Sequence, residues 1–147
     1  MLPALFTRSQ GLRKLYGNLC APLLARYGLT KLELDIILFL ANNPEYDTAR
    51  DIVEKRHLAK SHVSVGIDTL AGQGLLERFT REGNRKTIHL RLTGEAAPIV
   101  EEGRAAQKQY GKLLFAGFTA EDFRLLTALM DRVAGNVDAA LAAEERG

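Results

Sequence analysis

The sequence predicts a mainly α-helical protein with one small β-hairpin. Three observations lead there: apolar residues recur at three- and four-residue steps over most of the chain, one stretch alternates with a period of two, and threonines suited to capping precede several of the helical runs. At 147 residues, with 46% hydrophobic and 26% charged side chains, the chain is expected to form one unit (1–147) around a real core.

The elements follow in order. In residues 12–27 the positions Leu12, Leu15, Tyr16, Leu19, Cys20, Leu23, Leu24 and Tyr27 make an amphipathic helix, interrupted at Pro22 and closed at Gly28. Thr30 and Glu33 have capping-box spacing and open a second, largely buried helix through Leu34, Ile37, Leu38 and Ala41, which stops at Asn42-Asn43-Pro44. Thr48, with Asp51 in the first turn, starts a short third helix that ends near His57. After a brief turn a fourth runs from about Lys60 to Gln73, with Val63, Ile67, Leu70 and Ala71 facing inward and Gly74 as its stop. Its other face carries Ser61, His62, Ser64, Val65 and Asp68, side chains with little reason to form a core.

Residues 75–80 and 87–92 read as strands, joined by 81–86 with Gly83-Asn84 at the tip. In the second strand Ile88, Leu90 and Leu92 are expected inward, with Thr87, His89 and Arg91 outward. Helix resumes from Gly94 to about Phe118, with Thr93 as the candidate cap and Pro98 too deep for a comfortable first-turn proline. Thr119 opens the last helix, whose stripe is Phe123, Leu126, Met130, Val133, Val137, Ala140 and Leu141. That stripe suits either an intrachain core or a dimer interface.

The net charge of +2 is unevenly distributed. Residues 48–93 hold nine Lys and Arg against five Asp and Glu, and the remainder eleven against thirteen, so the middle of the chain is at +4 and the rest at −2. All three histidines also lie in the basic segment. The asymmetry points to a polyanion met by the middle of the chain. No apolar run approaches the roughly 18 residues of a membrane span, and the first residues lack the pattern of a secretory signal. The single cysteine excludes an intramolecular disulfide framework and fits a reducing interior, so the cytoplasm is the expected compartment and core packing the expected role of Cys20. There is no nucleophile elbow, glycine-rich phosphate loop or metal-ligand spacing; no cofactor, metal site or catalysis is expected.

A short helix, a turn, a longer helix and a basic hairpin make the order of a winged helix-turn-helix, in which the second helix enters the major groove and the hairpin reaches the backbone or minor groove. The crowding of Arg78, Arg81, Arg85, Lys86 and Arg91 on that hairpin then has a physical purpose. Cations that repel one another when free are stabilised beside phosphates or in a narrow minor groove. The candidate DNA contacts are Lys60, Ser61, His62, Ser64 and Val65 on the helix, with Arg81, Arg85 and Lys86 on the wing.

At residues 58–93, LAKSHVSVGIDTLAGQGLLERFTREGNRKTIHLRLT, the sequence resembles the MarR-type transcriptional regulators. Lys60-Ser61, Val63, Asp68 and Leu70 match the family's recognition helix, Gly74-Leu75 its turn into the wing, Arg85-Lys86 its paired wing cations and Leu92-Thr93 its exit. Tyr27-Gly28-Leu29-Thr30 resembles the boundary of its first two helices. Asn84 stands where the family commonly has Asp, which implies a looser wing tip, and Val65 where arginine is frequent, which trades a guanine contact for one suited to a thymine methyl. The resemblance implies a winged helix-turn-helix core at 30–93 flanked by dimerisation helices at 1–29 and 94–147. It further implies a homodimer on pseudo-palindromic double-stranded DNA and, in many members, repression released by a small-molecule effector. A second reading from a different class is a winged-helix module that binds another protein without DNA.

Overall fold

The computed structural model describes residues 2–147. Its elements are α1 (Leu2–Tyr27), α2 (Lys31–Asn42), α3 (Ala49–Arg56), α4 (Lys60–Gly72), β1 (Leu76–Arg81), β2 (Asn84–Leu92), a 3-10 turn (Gly94–Ala96), α5 (Ala97–Leu114) and α6 (Ala120–Arg146). The chain divides into two compact units, Met1–Tyr110 and Gly111–Gly147, with the boundary inside α5.

In the first unit the core is built around α2. Leu34, Ile36, Ile37, Leu38, Phe39 and Leu40 are all buried, so this helix is apolar nearly all round and has no solvent face of ordinary width. Ile52 of α3, Val63 and Leu70 of α4, Leu76 of β1 and Ile99 of α5 pack in the same cluster, as do Cys20 and Leu23 of α1. Each large side chain so buried stabilises the fold by about 1.5–3 kcal/mol relative to exposure. Buried Glu33 is reconciled with this core by the predicted capping box: its carboxylate accepts from the Thr30 amide at 3.0 Å while the Thr30 hydroxyl accepts from the Glu33 amide at 3.1 Å. Thr48–Asp51 and Thr119–Asp122 close the same reciprocal cap at α3 and α6. The predicted core face of α4 gains Gly66, where an added Cβ would meet Ile36 Cδ1 at 2.8 Å. The glycine allows α4 its close approach to α2.

Several expectations are corrected. The first helix begins at Leu2, ten residues before the apolar stripe does, with Leu2, Leu5 and Phe6 exposed. The hairpin is longer and its turn tighter than the six-residue loop expected: β1 and β2 pair from Leu76↔Leu92 to Arg81↔Asn84, leaving Glu82-Gly83 between them, with an irregularity between Phe79 and Arg81. Only Gly83 needs a positive φ there, 83°, and Asn84 belongs to the ladder. Ile88 is not buried as Leu90 is: 52% exposed, it lines an open pocket together with Val53, Ser64, Ile67 and Leu90. The Thr93 hydroxyl does not cap the next helix; it donates to the Gly74 carbonyl at 2.6 Å and so ties the exit of the wing to its start. The 3-10 turn that follows carries the chain to Ala97, which places Pro98 in the first turn of α5, where its missing amide costs nothing. α5 ends at Leu114, four residues early.

In the second unit α6 runs from Ala120 to Arg146 after a turn at Gly117, where Phe115 stacks edge-on with Phe118 and Phe123 at ring separations of 5.4 and 5.1 Å. None of its residues is buried, and the predicted stripe lies open at Phe123, Met130, Val133, Val137 and Leu141.

Candidate nucleic-acid interface

The helix-turn-helix is formed by α3, a three-residue turn and α4. His57 ends α3 in the left-handed region at φ 52°, a conformation rare for a residue with a Cβ, and the Leu58 amide donates to Val53 O at 3.2 Å. This compact exit starts α4 at Lys60. The N-cap of α4 is Ala59, which has no side chain to accept from the first amides, so the positive end of the helix is left open to an external acceptor. With Val63, Gly66, Ile67 and Leu70 buried, the 3.6-residue period turns Ser61, His62, Ser64 and Val65 to solvent on the opposite side. Lys60 is exposed at the helix start, and Val65 is 65% exposed.

The five hairpin cations divide into two groups that the sequence does not distinguish. Arg78 of β1 is paired with Asp68 of α4, Arg91 with Glu77 across the strands at 2.5 Å, and Arg81 with Asp47 at 3.2 Å. Arg81 and Arg91 also lie over the Phe79 ring, at 5.5 and 4.6 Å. Among the described residues, Arg85 and Lys86 have no acidic partner, and both are exposed beside the turn. Surface ion pairs of the first kind stabilise by only ~0–1 kcal/mol, so their main effect here is to leave unneutralised charge at the tip. Asn84 shapes that tip: its side-chain oxygen accepts from the Lys86 and Thr87 amides at 3.1 and 3.3 Å, and its nitrogen donates to Thr87 Oγ1 at 3.1 Å. The amide thus does locally what an aspartate, as an acceptor only, does in part.

Sequence reasoning missed Asp47. It lies in the loop between α2 and α3, 34 residues from Arg81 and 42 from His89, and holds both. No spacing or periodicity signals a contact over that distance.

A separate cavity of about 300 Å³ lies in the first unit, lined by Tyr16, Asp35, Asn42, Lys55, Arg56 and Gln107 among others. Burial pushes the Tyr16 phenol up to about 12, helped by the neighbouring Cys20, so it is a neutral hydrogen-bonding group. Burial also raises Asp35, against the opposing pull of Arg56 and Lys31. The ring of Tyr110 packs at 5.1 Å from Tyr16. The lining of the cavity thus presents aromatic surface, a carboxyl and cations.

The fold and this site define the class: a winged helix-turn-helix protein with an exposed second helix and a cationic wing. Residues 27–86 match the model of the MarR family. YdgJ of Bacillus subtilis strain 168, an uncharacterized HTH-type transcriptional regulator, is 25% identical over 130 residues, 88% of this chain and 76% of its own. The crystal structure of the transcriptional regulator PA3341 matches with a TM-score of 0.81 at 19% identity, over 95% of this chain and 99% of that one. A MarR family regulator from Listeria monocytogenes, crystallised with a 26mer DNA, matches with a TM-score of 0.80 at 15% identity, over 100% and 95% of the two chains. At these identities the structural likeness is one of fold. All three relatives bear the name of transcriptional regulators, and no described helix is long and apolar enough to cross a membrane.

Proposed function

We propose that the protein is a sequence-specific, DNA-binding transcriptional regulator, a homodimeric repressor acting on a pseudo-palindromic site in the cytoplasm and released by a small-molecule effector. One observation carries this reading. A single unit presents both the open, uncapped face of α4 and a hairpin tip whose Arg85 and Lys86 lack acidic partners among the described residues. In this reading Ser61, His62 and Ser64 read base edges or bind phosphate, Val65 touches a thymine methyl, and Lys60 neutralises a phosphate. Arg85 and Lys86 serve as backbone or minor-groove contacts. Arg81, 60% exposed, joins them only by sharing a guanidinium that Asp47 already engages. The DNA complex of the Listeria relative supports this use of the fold.

Binding to duplex DNA, measured at two salt concentrations, tests the reading. With about three neutralised phosphates per protomer, the logarithm of the affinity is expected to fall with log salt at a slope of roughly −5 for the dimer. Weak association that ignores salt would instead favour a protein-binding winged helix.

The cavity at Tyr16, Asp35 and Arg56 supports the effector part of the proposal, because it combines aromatic walls with groups that orient a small polar aromatic. In a thermal-shift screen of phenols and small aromatic acids, ligands that weaken DNA binding are expected to raise the midpoint of the wild type and to lose that effect in Arg56→Ala. An equal shift in the variant would place the ligand elsewhere.

A further inference from the structure

The loop between α2 and α3 meets the wing at one residue. Asp47 accepts from His89 Nδ1 of β2 at 2.6 Å through one carboxylate oxygen and from Arg81 of β1 at 3.2 Å through the other. Its main-chain carbonyl accepts from the Leu90 amide at 2.7 Å. Because an ionised carboxylate only accepts, the His89 ring carries its hydrogen on Nδ1 in this contact. The group is well shielded, with side-chain exposures of 16% for Asp47 and 14% for His89. The Phe79 ring stacks on His89 at 5.4 Å and lies under Arg81, so one carboxylate organises both strands near the irregular step in their register.

A two-stranded hairpin is marginal alone and is free to swing about its attached ends. This one is tied to α4 by Arg78–Asp68 and to the start of α3 by Asp47, the residue that precedes its Thr48 cap. The arrangement also withdraws charge. A wing that works through cations commits Arg81 to an internal acid, and that expenditure is intelligible if geometry is what it secures. Partly buried ion pairs add little net stability, since desolvation offsets their attraction, whereas they do fix orientation.

We propose that Asp47 is the positioning residue of the wing: by holding His89, Arg81 and the Leu90 amide, it sets the pitch of the hairpin and so the reach of Arg85 and Lys86 relative to the exposed face of α4. The proposal rests on the DNA-binding reading above. A double-mutant cycle on the full chain separates the two, using a duplex that the wild type selects from random sequence as the probe. In the wild type, Arg85→Ala is expected to weaken binding by about tenfold. In an Asp47→Asn background, which keeps the side-chain shape and removes the charge, the same change is expected to cost less than about threefold, because the wing no longer delivers Arg85 to the duplex. His89→Gln, able to donate to Asp47, is expected to retain more affinity than His89→Ala at equal denaturation midpoints. An undiminished tenfold effect of Arg85→Ala in the Asp47→Asn background overturns the positioning role and leaves DNA binding intact. No effect of Arg85→Ala in the wild type removes the DNA-binding reading of the wing, and the positioning role with it. If Asp47→Asn does not fold, the cycle is run with His89→Ala under the same two criteria.

Discussion

Val133→Asp is expected to leave the Met1–Tyr110 unit folded and to abolish operator binding at concentrations where the wild type saturates its site. The α6 stripe of Phe123, Met130, Val133, Val137 and Leu141 is between 39% and 56% exposed in a single chain. Its spacing follows one helical face over five turns, and soluble monomers seldom leave so long an apolar strip uncovered. In the proposed homodimer a second copy would cover this strip by two-fold symmetry, so that one substitution would enter the interface twice. Each uncompensated carboxylate buried there costs about 3 kcal/mol or more, enough to weaken association by well over ~100-fold. A protomer alone reaches only one half-site and forfeits the second set of contacts. Sedimentation equilibrium and operator titration check the prediction together. A Val133→Asp protein that sediments as the wild type does would remove this face from the proposed interface.

The second large effect is expected at the wing tip. Arg85→Ala combined with Lys86→Ala should weaken binding by about 100-fold near 0.1 M salt and lower the salt slope by roughly two units per protomer, similarly for matched and unrelated sequences. Electrostatics supports the uniformity: phosphate contacts position the protein without reading bases. Arg91→Ala is the internal comparison, since its guanidinium is already engaged by Glu77 and Phe79 and its removal should have a much smaller effect. Equal losses in the two proteins would mean that surface charge alone, and not the tip, governs binding.

Much of this molecule was legible in the sequence because its signals are local. The caps at Thr30, Thr48 and Thr119 follow from an oxygen three residues before an acid, and the inward face of α4 from a period of 3.6. The open face at Ser61, His62, Ser64 and Val65 is the remainder of the same pattern. Errors gathered where two distant segments compete for one group. Thr93 has the chemistry of a cap, yet its hydroxyl is drawn to Gly74, and Ile88 has the parity of a core residue but lines an open pocket between the wing and the helices. The extra turns of α1 carry only Leu2, Leu5 and Phe6 at helical spacing, all of them exposed, and are helical without a core to pack on.

What the sequence determined by itself is the list of elements, their order, and the concentration of cations on one hairpin, since each depends on residues within a turn or two of one another. Only the tertiary structure decided which of those cations are available. Arg78, Arg81 and Arg91 meet Asp68, Asp47 and Glu77, and of the five just Arg85 and Lys86 lack an acidic partner among the described residues. The reason is physical: a charge is neutralised by whatever lies within a few ångströms of it, and that neighbourhood is set by how helices and strands pack, across separations of 10 to 34 residues for these pairs.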